Sequence, residues 1–259
     1  MRHALATDPL GFQIAVSKRK ILCIAITILR GKTHFLAMFF ALPGKQSQGI
    51  GRKVLTRAFE NPRSPRDATR CLVASLDLRA QALYLKFGMQ PRTIVYHFEG
   101  KTTPQRGRAP DSLQLQQVGP TGQSTQQSRE IAARFDRALR EVRRDLDQRF
   151  FLAVSKNSRF FEARLTGRTV GYVVIRGNGI IGPAGVVDPS HSEALLTAAA
   201  EKAHVLGHKK ISVWVPGLNK GAVRAAFTAG LKVNFLTVWM SARAIGNLEK
   251  YIPSGGLLF

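Results

Sequence analysis

The stretch FLAMFFALPGKQSQGIGRKVLTRAF, residues 35–59, decides how this sequence folds. Its first part, Phe35–Leu42, is apolar, rich in Phe and too short to cross a bilayer, so it predicts a buried strand. Pro43 and Gly44 follow, and this pair is typical of a chain break. The strand is therefore expected to end at Leu42.

The second part of the stretch predicts a helix that begins behind a glycine-containing loop. From Ile50 to Phe59 the apolar residues follow helical spacing, so Gln46–Gly51 lies where a strand passes into a helix N-terminus. Backbone N–H groups at such an end have no partner within the helix, and glycines let an anion come close to them. The pattern predicts a site for a phosphate-bearing ligand.

Strands and helices alternate on both sides of this stretch. The predicted elements are strands at Phe12–Val16, Ile21–Leu29 and Phe35–Leu42, the helix to Phe59, a strand at Thr69–Ala74, a helix between the N-cap Asp77 and the stop Gly88, and a strand at Thr93–Phe98. This order predicts a mixed α/β sheet flanked by helices, which excludes a helical bundle and a β-sandwich.

A polar region divides the chain. Residues 100–128 are rich in Gly, Pro, Gln, Ser and Thr, interrupted by the strand-like Leu113–Val118. We therefore predict two domains, residues 1–105 and residues 106–259.

The second half repeats the plan of the first. A leading helix of about six turns is predicted over Arg129–Phe150, with its mixed charges on a solvated face. Three strands, a helix introduced by a capping box of Ser190 and Glu193, a strand, a helix capped by Asn219 and a last strand follow. The chain is interpreted as a tandem duplication.

Composition limits the classes of function. The net charge of +23 is spread over both halves, with 17 Lys and Arg against 5 acidic residues in residues 1–105, which predicts weak, non-specific binding to polyanions. We expect no membrane segment and no signal peptide, hence a cytoplasmic protein. The two cysteines, Cys23 and Cys71, lie in apolar runs and are interpreted as buried thiols, and no metal site is expected.

Two motifs carry a resemblance to a known family. Residues 46–51, QSQGIG, fit the pattern Gln/Arg-x-x-Gly-x-Gly/Ala, and residues 83–89, LYLKFGM, resemble a later Tyr-x-x-x-Gly-Phe helix with Met89 in place of Phe. Both are similar to signatures of the GCN5-related N-acetyltransferase (GNAT) superfamily, and they occur in the family's order with a strand between them. The whole chain resembles a tandem protein of that fold, with a degenerate second copy.

The resemblance implies acetyl-coenzyme A as co-substrate, without a metal. Its pantetheine arm would pair with the backbone of Phe39, Phe40, Ala41 and Leu42, as an added strand does. The implied binding residues of the loop and the following helix, including those whose N–H groups would hold the pyrophosphate, are Gln46, Gln48, Gly49, Ile50, Gly51 and Arg52.

The resemblance also assigns catalytic roles. Tyr84 would be the general acid, since a phenol with a pKa of about 10 keeps its proton at neutral pH and can give it to the departing thiolate. The alternative is that Tyr84 only completes an apolar helix face. The central strand holds no carboxylate, which leaves His34, at its start, as the candidate base.

Each copy departs from the family pattern. The first has only about eleven residues before its first strand, where the family has a strand and helices, so its acceptor side is expected to be incomplete. In the second copy the loop Asp188–Glu193 has no glycine, and Ala226 stands where the first has Tyr84. We predict that the second copy does not bind the cofactor productively.

Three functions compete. The first is an N-acetyltransferase that acts on a small-molecule or peptide amine, with a homodimer left open. The second is a non-catalytic module of the same fold that binds coenzyme A. The third is a basic nucleic-acid-associated protein, supported by the charge of +23 alone.

Overall fold

The computed structural model of the protein describes residues 2–44, 48–102 and 113–256. In the first part of the chain the elements are helix α1 (Arg2–Thr7), strands β1 (Phe12–Ser17), β2 (Lys20–Arg30) and β3 (Thr33–Ala41), helix α2 (Ile50–Phe59), strand β4 (Thr69–Ala74), helix α3 (Leu78–Lys86) and strand β5 (Gln90–Lys101). A short 3-10 turn, Pro9–Gly11, leads from α1 into β1.

The second part repeats this order behind two helices. Its elements are strand β6 (Gln114–Gln117), helices α4 (Gln126–Arg140) and α5 (Asp145–Ala153), strands β7 (Arg159–Leu165), β8 (Arg168–Ile175) and β9 (Ile180–Val186), helix α6 (Ser192–Val205), strand β10 (Lys210–Pro216), helix α7 (Lys220–Thr228), and strands β11 (Lys232–Ser241) and β12 (Tyr251–Ile252). The predicted α/β fold in two copies is confirmed.

The described residues form two compact units. One holds residues 2–44, 48–92 and Val238–Ile245, and the other holds residues 93–102, 113–237 and 246–256. In the first unit, β1, β2 and β3 form an antiparallel meander, β3 and β4 are parallel, and the last four residues of β11 pair antiparallel with β4.

The second unit has the same arrangement of strands. Strands β6, β7, β8 and β9 are antiparallel neighbours, β9 and β10 are parallel, and β5 pairs antiparallel with β10. Each unit therefore takes a strand from the other half of the sequence. The predicted division into residues 1–105 and 106–259 describes the two copies of the repeated sequence and stays a prediction. The compact units do not test it, because each unit is built from separate ranges of the chain.

The core of the first unit lies between its sheet and the helices α2 and α3. Leu55, Ala58, Leu72, Met89 and Met240 are buried there. Helix α2 has the amphipathic pattern that the sequence predicts: Val54, Leu55, Ala58 and Phe59 are its buried residues. Both cysteines are buried thiols that form no disulfide, as the sequence predicts.

One predicted element is wrong in its extent. The single helix expected over Arg129–Phe150 is two helices, α4 and α5, because the chain turns at Glu141, whose φ of 61° lies in the left-handed region. The expected solvated charges are partly buried as well. Arg144 makes a two-point ion pair with Asp136 at 3.0 and 3.1 Å, and the Tyr172 hydroxyl donates to Asp136 at 2.7 Å.

The predicted capping box before α6 is also wrong. Asp188 accepts the Ser190 N–H at 2.9 Å and so caps a 3-10 turn, after which α6 begins at Ser192. Glu193 pairs instead with Arg224 at 2.8 Å. Asp188, and not Glu193, accepts the Ser190 N–H, because an aspartate side chain readily accepts from the N–H two positions further along the chain.

Candidate functional site

The sheet of the first unit opens between β3 and β4. The two strands pair only over Thr33–Leu36 and Thr69–Leu72. Beyond that point β3 continues along β2 to Ala41, while Val73 and Ala74 of β4 pair with β11. No described strand pairs with the β4-facing edge of residues 37–41, so this edge can accept a ligand that adds as an extended strand.

A bulge accompanies the opening. In the register of β2 and β3, Ile26 lies opposite Met38 and Thr27 opposite Leu36, which leaves Ala37 as the extra residue. A bulge bends its strand and increases the local twist. The bend in β3 therefore occurs where β3 and β4 part.

The N-terminus of α2 faces the same space. Its first helical hydrogen bond runs from the Lys53 N–H to the Gly49 carbonyl at 3.1 Å, so the N–H groups of Ile50, Gly51 and Arg52 precede the helical ladder. They carry the positive end of the helix dipole, which attracts anions.

Gly49, the N-cap of α2, and Gly51, in the first turn of α2, are glycine for different reasons. Gly49 has a φ of 76°, in the left-handed region, and a Cβ built on it would meet no atom within 4 Å, so open space lies before it. A Cβ on Gly51 would come within 3.0 Å of the Phe39 ring. Gly49 is thus favoured by its backbone conformation, and Gly51 by the close approach of Phe39.

Strand β3, the loop, α2, the end of β4 and α3 together enclose a cleft of about 550 Å³. This volume is in the range of small-molecule sites. The cleft is lined by Phe39, Phe40, Ala41, Gly49, Gly51, Arg52, Ser75, Asp77, Arg79, Ala80, Ala82, Leu83, Tyr84 and Lys86. It combines an apolar wall with backbone donors and three cationic side chains.

Tyr84 belongs both to the core and to the cleft. Its side chain is 6% exposed, and its ring meets the Phe39 ring edge-on with 6.1 Å between the ring centres. Burial, with smaller contributions from Asp77 and Cys23, raises the pKa of Tyr84 to about 12. The phenol therefore keeps its proton at neutral pH. No described residue hydrogen-bonds to its hydroxyl, so the hydroxyl can donate into the cleft.

The cleft unites most of the residues predicted from the sequence. Phe39, Phe40, Ala41, Gly49, Gly51, Arg52 and Tyr84 line it together. Leu42, Gln48 and Ile50 are neighbours in sequence but are not among the lining residues. Gln46 lies outside the described residues.

His34 is not brought to the cleft. It is buried at the start of β3, where its Nδ1 lies 3.2 Å from the Ser64 hydroxyl and its ring meets the Phe59 ring edge-on at 5.0 Å. Burial, with the nearby charge of Arg70, lowers the pKa of His34 to about 4, against a smaller opposing effect of Asp8. These contacts describe a packed, neutral imidazole.

The sequence did not predict that the start of α3 forms a wall of the cleft. Asp77 is the N-cap that was predicted, accepting from the Arg79 N–H at 2.9 Å, but it also lines the cleft. The Arg79 guanidinium pairs with the Asp77 carboxylate at 3.0 Å and holds the pKa of that carboxyl below its ordinary value. The signal was present, since Ala80, Leu83 and Tyr84 share one helix face that begins at this cap.

The matching opening of the second unit is filled by the chain itself. Strands β9 and β10 pair over Ile180–Ile181 and Ser212–Val213. Further along β9, Ala184 and Gly185 pair with β12. The C-terminal strand thus takes the place on β9 that the pantetheine arm is expected to take on β3.

Other features of the second unit agree with this difference. Asp188 stands on the loop after β9 with its carboxylate turned to its own turn, and Ala226 is fully buried. Asn219, the counterpart of the cap Asp77, caps α7 through the Ala222 N–H and donates to the Tyr251 carbonyl at 3.4 Å. These contacts attach β12 to the helix that follows β10.

Residues 2–44, 48–102 and 113–256 contain neither a metal-binding cluster nor a helix that could span a membrane. In these ranges no three or more His, Cys, Asp or Glu side chains are grouped to hold a metal ion. No helix in the same ranges has both the length and the apolar character required to cross a bilayer.

Comparison with solved structures identifies the fold. The chain superimposes over its full length on 83% of a protein from Pyrococcus horikoshii named as an acetyltransferase, with a TM-score of 0.76 and 19% identity. A GCN5-related N-acetyltransferase from Sphaerobacter thermophilus matches 92% of the chain over 82% of its own length, with a TM-score of 0.61 and 17% identity.

A third similar structure is a tandem GNAT protein from the clavulanic acid biosynthesis pathway. It matches 93% of the chain over 87% of its own length, with a TM-score of 0.57 and 18% identity. No model of a known protein family matches the sequence. No curated protein matches it either. The chain therefore has the GNAT fold in tandem, as the motifs of the first copy and the repeated order of elements predict, and identities this low establish the fold alone.

Proposed function

We propose that the protein is an N-acetyltransferase that transfers an acetyl group from acetyl-coenzyme A to a primary amine, with the cleft of the first unit as its active site. The observation that carries this proposal is the meeting of three features in one cleft. These are the edge of β3 that no described strand pairs with, the glycine-framed N-terminus of α2 and the protonated Tyr84.

The cleft residues fit the parts of an acyl-coenzyme A. The β4-facing edge at Phe39–Ala41 can hydrogen-bond an amide-containing pantetheine arm in the manner of an added strand. The N–H groups of Ile50, Gly51 and Arg52 suit a diphosphate, and the open space before Gly49 leaves room for it. Arg52 adds a cation at the same place.

The reaction needs little covalent help from the protein. A bound acetyl-coenzyme A supplies a thioester whose C–S bond breaks as the amine nitrogen forms a C–N bond with the carbonyl carbon. The cleft walls hold the two reactants in line, which supplies most of the acceleration in such direct transfers. Tyr84 donates its proton to the sulfur that leaves.

The proton of the attacking amine goes to water in this proposal. Asp77 is the carboxylate among the described lining residues, and its pairing with Arg79 weakens it as a base. The weakness of Asp77 as a base also favours a second candidate function, a module that binds coenzyme A without turnover.

We propose a small-molecule or peptide amine as the acceptor. The basic surface is proposed to bind polyanions weakly.

A matched pair of variants at Gly49 tests the proposal. Asn and Asp both tolerate a left-handed backbone better than other side chains do, and they differ chiefly in charge. We expect Gly49→Asp to weaken acetyl-coenzyme A binding at least about tenfold relative to Gly49→Asn, because a carboxylate would face the diphosphate. Isothermal titration calorimetry measures the affinity.

Turnover is measured separately, as thiol release with a panel of amines. Equal affinities of Gly49→Asp and Gly49→Asn would show that the loop does not hold the diphosphate. Tight binding of acetyl-coenzyme A with no thiol release on any amine would support the non-catalytic module instead.

A further inference from the structure

A second concavity, of about 620 Å³, lies on the first unit beside the cleft. Three cationic side chains from three different elements meet in it: Arg52 of α2, Arg70 of β4 and Lys86 of α3. Thr56, Phe87 and Gly88 complete its lining. We refer to these six residues as the basic groove.

The groove has no negative charge of its own. No carboxylate is among its lining residues, and no ion pair of Arg52, Arg70 or Lys86 is found within the described part of the chain. Arg70 instead makes a cation–π contact with Phe59, with its guanidinium carbon 5.2 Å from the ring centre. Three cations gathered without a counter-charge repel one another, and an anion in the groove relieves this repulsion.

The groove shares two of its lining residues with the cleft. Arg52 and Lys86 line both concavities, and Arg52 is also one of the residues whose N–H groups face the proposed diphosphate site. A ligand whose diphosphate lies at the start of α2 therefore has a second cationic site beside it. Its donors are guanidinium and ammonium groups with a threonine hydroxyl, a set that suits the oxygens of a phosphate.

We propose that the basic groove is a subsite for a phosphate monoester. It takes the 3′-phosphate on the ribose of the coenzyme A whose diphosphate lies at Gly49–Arg52, and this step rests on the proposed function. Such a monoester has a second pKa of about 6 and is largely a dianion at neutral pH, so three cations match it better than they match a singly charged group.

The test compares coenzyme A with 3′-dephospho-coenzyme A on the full chain, by calorimetry in a phosphate-free buffer at low salt. We expect the wild type to bind coenzyme A at least about tenfold more tightly, as charge-assisted hydrogen bonds to a phosphate require. Arg70→Gln and Lys86→Gln should each reduce that ratio by several-fold. Arg57→Gln is the matched control, since Arg57 is an exposed arginine of α2 outside the groove and should leave the ratio unchanged.

The outcomes separate this inference from the proposed function. If both compounds bind with equal affinity to the wild type, the subsite is refuted while the cleft remains a coenzyme A site. An unchanged ratio in Arg70→Gln and Lys86→Gln would refute it equally. If neither compound binds, the proposed function fails as well.

Orthophosphate distinguishes the source of the phosphate group. Orthophosphate that lowers the affinity for coenzyme A, but not for the dephospho form, supports the same subsite and shows that it also accepts free phosphate. Orthophosphate that weakens both compounds alike in the wild type and in Arg70→Gln would contradict a separate subsite.

Discussion

Tyr84 shows how core packing and a proposed chemical role can fall on one side chain. Its ring packs in the core against Phe39, while its hydroxyl has no partner among the described residues and reaches the cleft wall. The burial that packs the ring also raises the pKa to about 12. The two interpretations of Tyr84 drawn from the sequence are therefore compatible.

Replacing Tyr84 by Phe separates the two roles. The variant keeps the ring and its contacts and loses only the hydroxyl, so we expect kcat to fall by roughly 10²-fold, with little change in the KM for acetyl-coenzyme A. The wild type should show no loss of kcat between pH 8 and about 10, because an acid with a pKa of about 12 is still protonated there. A descending limb centred near pH 10 would indicate an unshifted phenol.

His34 makes stability depend on pH. In the folded protein its pKa is about 4, whereas in the unfolded chain it is near the ordinary 6.5, so below 6.5 the unfolded state binds more protons. The contribution of the neutral His34 to the free energy of unfolding is fully present above pH 6.5. As the pH falls toward 4 this contribution, up to about 3 kcal/mol, is lost.

Denaturant unfolding at several pH values tests this expectation. His34→Asn keeps a polar side chain that can face Ser64 but cannot titrate. We expect the loss of unfolding free energy between pH 7 and 4 to be smaller in this variant than in the wild type. Parallel curves for the two proteins would show that His34 does not contribute.

At the scale of elements, the break between α4 and α5 illustrates what a hydrophobic repeat misses. The apolar spacing runs through Arg129–Phe150, yet the chain turns at Glu141. The turn brings Arg144 back to Asp136, and Tyr172 of β8 completes the cluster. Burial opposes the charge of Arg144, but Asp136 and the two tyrosines beside it raise its pKa well above the ordinary value.

Neighbouring arginines offer a matched test of this cluster. Arg144→Met should destabilise the protein by about 3–5 kcal/mol, because Asp136 would be left as an unpaired buried charge. Arg143→Met removes an exposed pair with Asp145 and should cost about 1 kcal/mol or less. Thermal unfolding of both variants provides the comparison, and equal shifts in Tm would contradict the assignment.

At the scale of the whole molecule, two copies of one plan have diverged at their clefts. In the first unit the edge of β3 is free of strand partners among the described residues, whereas in the second β12 pairs with β9. Each unit also uses a strand from the other half of the sequence. A fragment of residues 106–259 would lack β5, which pairs with β10 in the second unit. Cofactor binding by each copy is therefore better tested in the full chain.

The difference between the clefts predicts one binding event. We expect titration of the full chain with acetyl-coenzyme A to give one site per chain, and Gly49→Asp to weaken that site without revealing another. A stoichiometry of two, or a second site that persists in Gly49→Asp, would show that the second unit also binds the cofactor.

Much of the fold was within reach of local patterns. The strand, loop and helix of residues 35–59 and the face shared by Ala80, Leu83 and Tyr84 depend on periodicity and on turn residues that lie close in sequence. The burial of charges near α4 and α5 could not be predicted from local patterns. In the sequence Arg144 and Asp136 resemble surface residues, and only the fold brings Tyr172 beside them.

The sequence by itself determined the α/β plan, its repetition, and a phosphate-suited loop followed by a tyrosine helix. Each element in these patterns is specified by residues that lie close together in the sequence. Only the tertiary structure decided which strands pair, that β12 fills the second opening, and that Asp77, Arg70 and Lys86 stand beside the loop. Strand pairing and the gathering of charges depend on contacts between residues far apart in the chain, and no local pattern encodes such contacts.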